Sequence, residues 1–363
     1  MTRGIPTLRT SRLLAPETEN HMAELSSHSL RSPGEHRDPL AGTGRAVSLA
    51  QRPSPGPVTI LPADIPPTMV DRIAAAVASA GGEVEALSQS TRALVWVGFD
   101  VPALEALLAS HPGIGWVQLP LAGVEQFSDT VARHPHLLWT SAKGSFAEPV
   151  AEHALALTLA VLRDLPGKSR SATWDRARSG RSLYGCRVVI VGAGAIADEI
   201  IRLFTPFDVV VTVVRRSDAA VPGADRTLTA AHLLEAISDA DVVIVAAAAT
   251  ASTERMFSVE QFAAMKPGAL IVNIARGSLI DQDALVDALR SGHLSGAGLD
   301  VTTPEPLPDG HPLWTAQNVV ITSHSANTEA MSEPLLAARV ATNVAAMLSD
   351  GAFVGLVDAK AGY

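Results

Sequence analysis

Three polar residues, each placed just beyond an apolar run, carry the chemistry this sequence suggests: Arg276 after ALIVNIA, Glu305 after GAGLDV and His324 after NVVITS. In an open parallel sheet, residues past the carboxyl ends of strands gather in one crevice, so positions far apart in sequence can meet there. An arginine offers a fork for a carboxylate, a histidine a proton for a carbonyl oxygen, and an acid beside the ring orients and tunes that donor. Together they suit a small oxo acid.

Such a meeting needs parallel strands, and the sequence supplies them. The runs PVTIL, ALVWVG, GWVQLP and HLLWTS, with helix-like segments around 67–80 and 102–110, form a first α/β block. A long apolar helix pattern follows, FAEPVAEHALALTLAVLRDLP, which Pro166 is expected to close. The second block runs RVVIVGAGAIA, DVVVTVV, DVVIVAAAA, ALIVNIA, GAGLDV and NVVITS. Strands so continuously rich in Val, Ile and Ala belong to a parallel sheet covered on both faces. The last segment, EPLLAARVATNVAAMLSDG, reads as a helix that returns to the first block.

The turn Gly192-Ala193-Gly194-Ala195-Ile196-Ala197 lies directly after the strand RVVIV and opens a helix. That is the position of a dinucleotide pyrophosphate: Gly192 permits the tight turn, Gly194 lets backbone approach the phosphates, and the first N–H groups of the helix face them. Ala197 replaces the third glycine and spaces helix from sheet. The second strand ends in Arg215-Arg216-Ser217, where an NAD site places an acid to hold the ribose 2'-hydroxyl. Two guanidinium groups and a hydroxyl suit a 2'-phosphate instead, so NADP is the preferred cofactor. NAD is the alternative, should the arginines merely be solvated.

Composition limits the other possibilities. The chain has 363 residues, 47% of them apolar but only 4% aromatic, so the cores are built from Ala, Val, Leu and Ile. A net charge of -9 with interspersed signs gives no basic stripe for nucleic acid. No apolar run reaches the roughly 18 residues of a membrane span. The single cysteine, Cys186, allows no internal disulfide and suits a reducing, cytoplasmic setting; it reads as an inert thiol. No metal is expected, since His134 and His136 have no third ligand nearby, and His153 reads as structural. Residues 1–56, rich in Ser, Pro, Arg and Gly, read as a disordered leader. A transit peptide, argued against by Glu17 and Glu19, or a start assigned too far upstream, with Met22 a candidate, stays open.

From about Pro57 onward the segments LPLAGVEQF, VAEHALALTLAVLRDLP, SLYGCRVVIVGAGAIA, MKPGALIVNIARGSLIDQDAL, GAGLDVTTPEPLPDGHPLW and NVVITSHSA follow one another. In this order they resemble the D-isomer-specific 2-hydroxyacid dehydrogenase family, more narrowly its glyoxylate and hydroxypyruvate reductase-like members. The resemblance implies that Arg276, Glu305 and His324 are catalytic and that Ala195, Ile196, Ile274, Ala275 and Asp300 border the cofactor, with Asp300 near the nicotinamide amide. It implies that backbone N–H groups of Leu121, Ala122 and Gly123 help Arg276 hold the substrate, and that the protein is a homodimer. Ser323 stands where the family has proline, as does part of the AAAAT run, which bears on loop rigidity. A glutamate at 305 favours oxo-acid chemistry over that of the related formate dehydrogenases, and the short stretch after His324 leaves no room for an appended regulatory domain.

The expected fold is α/β, with two Rossmann-like domains on doubly wound parallel sheets. A flavodoxin-like substrate domain spans 57–150 and 335–363, and a dinucleotide-binding domain spans 151–334. The expected activity transfers hydride between NAD(P)H and a small 2-oxo or 2-hydroxy acid. The competing reading is a non-catalytic dinucleotide sensor of the corepressor type.

Overall fold

Short, mostly buried runs form two separate parallel sheets. The computed structural model describes residues 32, 34–39, 44–62, 65–174, 176 and 179–358. Residues 36–363 cluster as one unit and 1–35 as another, whose described residues form a turn closed between Ser32 and Glu35.

The first sheet holds β1 (Val58–Leu61), β2 (Ala93–Trp96), β3 (Trp116–Gln118) and β4 (Leu138–Thr140), side by side in that order. Outside β1, Val84 makes a single parallel bridge to Val58, with Val58 N–H donating to Glu83 O at 2.8 Å and Glu85 N–H to Val58 O at 3.0 Å. Counted as a strand, this bridge gives the 2-1-3-4-5 order of flavodoxin-like sheets. It stays a bridge because Val84 stands alone between two glutamates and offers no apolar face to extend.

The second sheet has the order β11-β10-β9-β8-β5-β6-β7. Its strands are β5 (Arg187–Val191), β6 (Val210–Arg215), β7 (Arg226–Thr229), β8 (Val242–Val245), β9 (Leu270–Asn273), β10 (Gly296–Leu299) and β11 (Val319–Ile321). All pairs are parallel. This is the Rossmann arrangement extended by one strand, reversing direction between β5 and β8, where such sheets bind ligands. The edge strand β7, sequence RTLT, has no apolar run and escapes sequence reading.

Helices cover both sheets. They include α1 (Pro67–Ser79), α2 (Val101–Ser110), α3 (Ala147–Leu162), α4 (Ala195–Phe204), α5 (Gln282–Arg290) and α6 (Glu329–Met347). The buried side of α3, including Ala151, Ala154, Leu157 and Val161, packs on α4, β9 and β10. Pro166 does not close α3: that helix ends at Leu162, Asp164 turns at φ +53°, and Pro166 sits in the first turn of a new short helix, Leu165–Arg170. Proline is suited to a first turn, whose N–H has no partner within the helix. The terminal helix α6 packs on α1, as its apolar pattern suggested.

The expectation of a disordered leader over 1–56 does not hold for the described residues from His36 onward. Residues 1–31, 33 and 40–43 lie outside the described residues, but from His36 onward the rest is bonded to the body of the protein. Arg37 donates through N and Nε to the two oxygens of Glu148 at 2.8 and 2.7 Å. Asp38 pairs with Arg339 Nη2 at 2.7 Å, a guanidinium with 0% of its side chain exposed. Arg45 exchanges backbone hydrogen bonds with Phe353, 2.8 and 3.1 Å long. Arg52 donates to the carbonyls of Ala346, Ser349 and Gly351 at 2.5–2.7 Å, capping the end of α6. Charge-assisted bonds hold this polar strap, and they leave no apolar period to read.

Candidate active site

The Gly-rich turn is pinned from both sides. Gly192 has φ +121°, its N–H donates to Val214 O at 2.8 Å, and a Cβ there would fall 2.5 Å from Ala246 O, so only glycine fits between the ends of β6 and β8. A Cβ on Gly194 would meet nothing within 4 Å, so space lies open in front of the α4 N-terminus. No side chain caps that terminus, which leaves the first-turn N–H groups around Ala195 and Ile196 for an anion, while Ala197 is buried against the sheet. These residues fit a dinucleotide pyrophosphate. Arg215 ends β6, its Nη1 bonded to Ala219 O at 3.1 Å, and Arg216 and Ser217 are exposed just beyond. Asp198, in the first turn of α4, has its carboxyl raised by burial and by Glu199, against the pull of Arg215.

The loop after β9 is built by Asn273, whose side chain accepts from Ala275 N at 3.0 Å and donates to Arg276 O at 2.9 Å. Ile274 and Ala275 are buried, and Arg276 turns toward the first sheet. Gly277 abuts Thr302 O too closely for any Cβ, which brings the Arg276 turn against the loop that carries Glu305. Arg276 Nη1 donates to Ala275 O at 2.7 Å, and Nε faces Glu125 Oε1 at 3.3 Å. The substrate-binding candidates Leu121, Ala122 and Gly123 follow β3, and Gly123 lies so near Arg276 Nη2 and Glu125 Oε2 that a Cβ would collide with both. Both sheets therefore contribute to one place.

Glu305 and His324 form a pair: Glu305 Oε2 lies 3.0 Å from His324 Nδ1, and Oε1 accepts from Thr302 N at 3.1 Å. With Nδ1 engaged, Nε2 is the ring nitrogen left to serve a substrate oxygen. His324 adopts φ +50°, an uncommon backbone conformation for a non-glycine residue. Asp300 holds it there. Its backbone oxygen accepts from His324 N at 2.7 Å, Oδ1 accepts from Thr322 Oγ1 at 2.6 Å and Ser325 N at 2.9 Å, and Oδ2 accepts from Ala326 N at 3.2 Å. His153 reaches in from α3, 2.9 Å from Thr322 Oγ1 and 3.5 Å from Asp300 Oδ1. Burial of Asp300, only 2% exposed, acts to raise its carboxyl, but the hydrogen bonds, led by that of His153, hold it down at about 2. Both carboxylate oxygens are thus engaged by the loop 322–326.

The structure brings Arg276, Glu305, His324, Asp300 and the 121–123 loop to the carboxyl ends of β3, β9, β10 and β11. Sequence reading missed Glu125, Asn273, Thr302 and Thr322. Glu125 and Asn273 lay inside motifs already singled out, but nothing in their spacing announced contacts to Arg276. Elsewhere, His134 pairs with Glu105 at 2.9 Å, and hydrogen bonds from Thr130, His134 and Arg133 hold the Glu105 carboxyl at about 2. Among the described residues no group of three metal-ligating side chains occurs, and no helix is long and apolar enough to cross a membrane. Cys186 is partly buried, which pushes its thiol up.

Comparison with known proteins agrees with this architecture. The family model described as D-isomer specific 2-hydroxyacid dehydrogenase, NAD binding domain, matches residues 155–326. An uncharacterized protein of Corynebacterium melassecola is 35% identical over 255 residues, 69% of this chain and 84% of that protein. A D-3-phosphoglycerate dehydrogenase of Mycobacterium tuberculosis is 32% identical over 252 residues, 68% of this chain but 47% of the relative. A glyoxylate reductase of Pyrococcus furiosus is 35% identical over 209 residues, 54% of this chain and 61% of the relative. A D-isomer specific 2-hydroxyacid dehydrogenase from Xanthobacter autotrophicus, solved with NADPH and MES, superposes with a TM-score of 0.73 at 25% identity, over 85% of this chain and 100% of that one. With two parallel sheets in this order and a dinucleotide turn at their crevice, the chain belongs to the D-isomer specific 2-hydroxyacid dehydrogenase family of NAD(P)-dependent oxidoreductases acting on CH–OH donors.

Proposed function

We propose that this protein reduces small 2-oxo acids to D-2-hydroxy acids, with NADPH preferred over NADH, and that glyoxylate and hydroxypyruvate are the simplest substrates of this kind. The observation that carries the reading is the Glu305–His324 pair at 3.0 Å, set beside Arg276 at the strand ends. On this reading the seven-stranded sheet serves the cofactor and the four-stranded sheet, with α6, the substrate. The balance is R–CO–COO⁻ + NADPH + H⁺ → R–CHOH–COO⁻ + NADP⁺. The bound nicotinamide supplies the hydride to the carbonyl carbon. Arg276 binds the substrate carboxylate, with the N–H groups of Leu121, Ala122 and Gly123 beside it. His324 Nε2 gives its proton to the carbonyl oxygen, and Glu305, on Nδ1, keeps the ring oriented. Arg215, Arg216 and Ser217 at the end of β6 favour the 2'-phosphate of NADPH. A homodimer belongs to the same reading, on the family resemblance.

Nicotinamide absorbance with a panel of 2-oxo acids and both reduced cofactors tests it. His324→Ala is expected to lower turnover by about 10²- to 10⁴-fold while NADPH still binds. Replacing Arg215 and Arg216 together with uncharged residues is expected to weaken NADPH by about tenfold or more relative to NADH. Unchanged turnover in His324→Ala would remove the proton donor from the scheme, and equal losses for both cofactors would remove the phosphate reading.

A further inference from the structure

The guanidinium that the proposed reaction reserves for a substrate carboxylate already faces one. Glu125 Oε1 lies 3.3 Å from Arg276 Nε, and both side chains close over the backbone of Gly123. Both are partly exposed, so this is not a buried structural pair; it is an ion pair in water, weak enough to exchange. With Nη1 engaged by Ala275 O, a carboxylate ligand that takes the Nε–Nη2 edge bidentately must displace Glu125, and afterwards the displaced acid remains at the end of the same loop.

The surroundings share this bias. The backbones leaving β1, β2 and β3 run side by side: Val95 is in register with Gln118, and Pro62 packs against Gly98, where a Cβ would fall 2.7 Å from its ring. Beyond these strand ends stand Phe99, 59% exposed, and Leu121, 39% exposed, two large apolar side chains left uncovered by the protein's own packing. The described residues of the three loops, 62, 97–100 and 119–125, include no lysine or arginine; their charged members are Asp100, which caps α2, and Glu125. Lys143, beyond β4, lies in the fields of Arg216 and Asp358.

We propose that Glu125 and the apolar edge formed by Phe99 and Leu121 select 2-oxo acids that carry a single negative charge and an uncharged, apolar side chain. The proposal rests on the oxo-acid reading above and names the substrate class of that same site. Glu125 neutralises Arg276 while the site is free, yields it to the C1 carboxylate, and then repels a second anionic group such as a phosphate or a distal carboxylate. The side chain of the substrate is taken from water by Phe99 and Leu121. Rejection of the second charge supplies the specificity, because Phe99 and Leu121, at an exposed edge, leave a distal anion its water, and the like charge of Glu125 adds the repulsion.

The full chain, assayed with whichever reduced cofactor supports turnover, is offered glyoxylate, hydroxypyruvate, 4-methyl-2-oxopentanoate, phenylpyruvate, oxaloacetate and 3-phosphohydroxypyruvate. The expected kcat/KM for 4-methyl-2-oxopentanoate exceeds that for glyoxylate by about tenfold or more, and exceeds those for the two dianions by roughly a hundredfold. Glu125→Gln is expected to raise the dianions by about tenfold relative to 4-methyl-2-oxopentanoate. Phe99→Ser is expected to lower the ratio of 4-methyl-2-oxopentanoate to glyoxylate by a similar factor of about ten. Ratios within one variant are insensitive to partial misfolding. Wild-type preference for a dianion or for glyoxylate, or ratios unmoved in Glu125→Gln, would overturn the proposal and leave the reductase reading standing. Turnover of none of the six acids would overturn that reading and the proposal with it.

Discussion

At the scale of single residues, the site depends on a buried acid outside the proposed reacting set. Asp300 gathers Thr322, His324, Ser325 and Ala326 around itself, and His324 keeps its φ of +50° because that network leaves it no alternative. The folded carboxyl, at about 2, lies below its ordinary value near 3.9, so it contributes stability that is complete above about pH 4 and is lost as pH falls toward 2. Asp300→Asn is expected to cost about 2 kcal/mol at neutral pH, with the deficit shrinking as pH falls from about 4 to about 2. Urea unfolding across that range measures it; a deficit independent of pH would separate Asp300 from the ionised network. The types and positions of Arg276, Glu305 and His324 were legible because each followed an apolar strand. Asp300 was visible as a residue after a strand, but its partners were not, since hydrogen bonds across the 300–326 interval leave no periodic trace.

At the scale of elements, the strap from His36 to Gly56 ties the start of α3 to the middle of α6, through Arg37 on Glu148 and Asp38 on Arg339. Arg339 is fully buried and also donates from Nη1 to Ser141 O and Lys143 O at 2.9 and 3.0 Å. Removing the acid leaves an uncompensated buried charge, so Asp38→Ala is expected to destabilise by about 3 kcal/mol. Asp38→Ala with Arg339→Met should recover part of that loss, and a single variant as stable as the wild type would show that the strap is dispensable. Reading the strap as disorder followed from its composition: it has few apolar residues, and its order comes from arginines bonded to carbonyls and carboxylates of distant helices. For the same reason β7 and the Val84 bridge went unread, while β5, β8 and β9, buried on both faces, were plain. Periodicity reports burial, and elements held by polar bonds at an edge do not display it.

At the scale of the whole molecule, the two sheets present their carboxyl ends to one another around Arg276, with the first sheet adding Gly123 and Glu125 and the second adding Glu305 and His324. Apart from β7 and the Val84 bridge, sequence could assign the strands to their sheets because the order of α and β runs nearly fixes the topology of such folds. It could not say that an acid from one sheet would sit on the arginine of the other, because that contact joins positions 151 residues apart through side chains alone.

The pairing of Arg45 with Phe353 has a consequence for chain connectivity. Gly44 also rests against Ala352, so the segments near the two ends of the folded body run side by side. The order in which the chain visits its elements can then be changed without moving them. A circular permutant that joins residue 358 to residue 36 through a flexible linker of about twelve residues and opens at Gly292 would keep the contacts of the strap and of both sheets. Gly292 is exposed, has φ +73° and has nothing within 4 Å of where a Cβ would point. Such a permutant is expected to unfold in one cooperative transition close to the wild-type melting temperature, as domains with adjacent ends do when rewired. Loss of folding on rewiring would mean that the native chain order, and not the set of contacts alone, is required to assemble the two sheets.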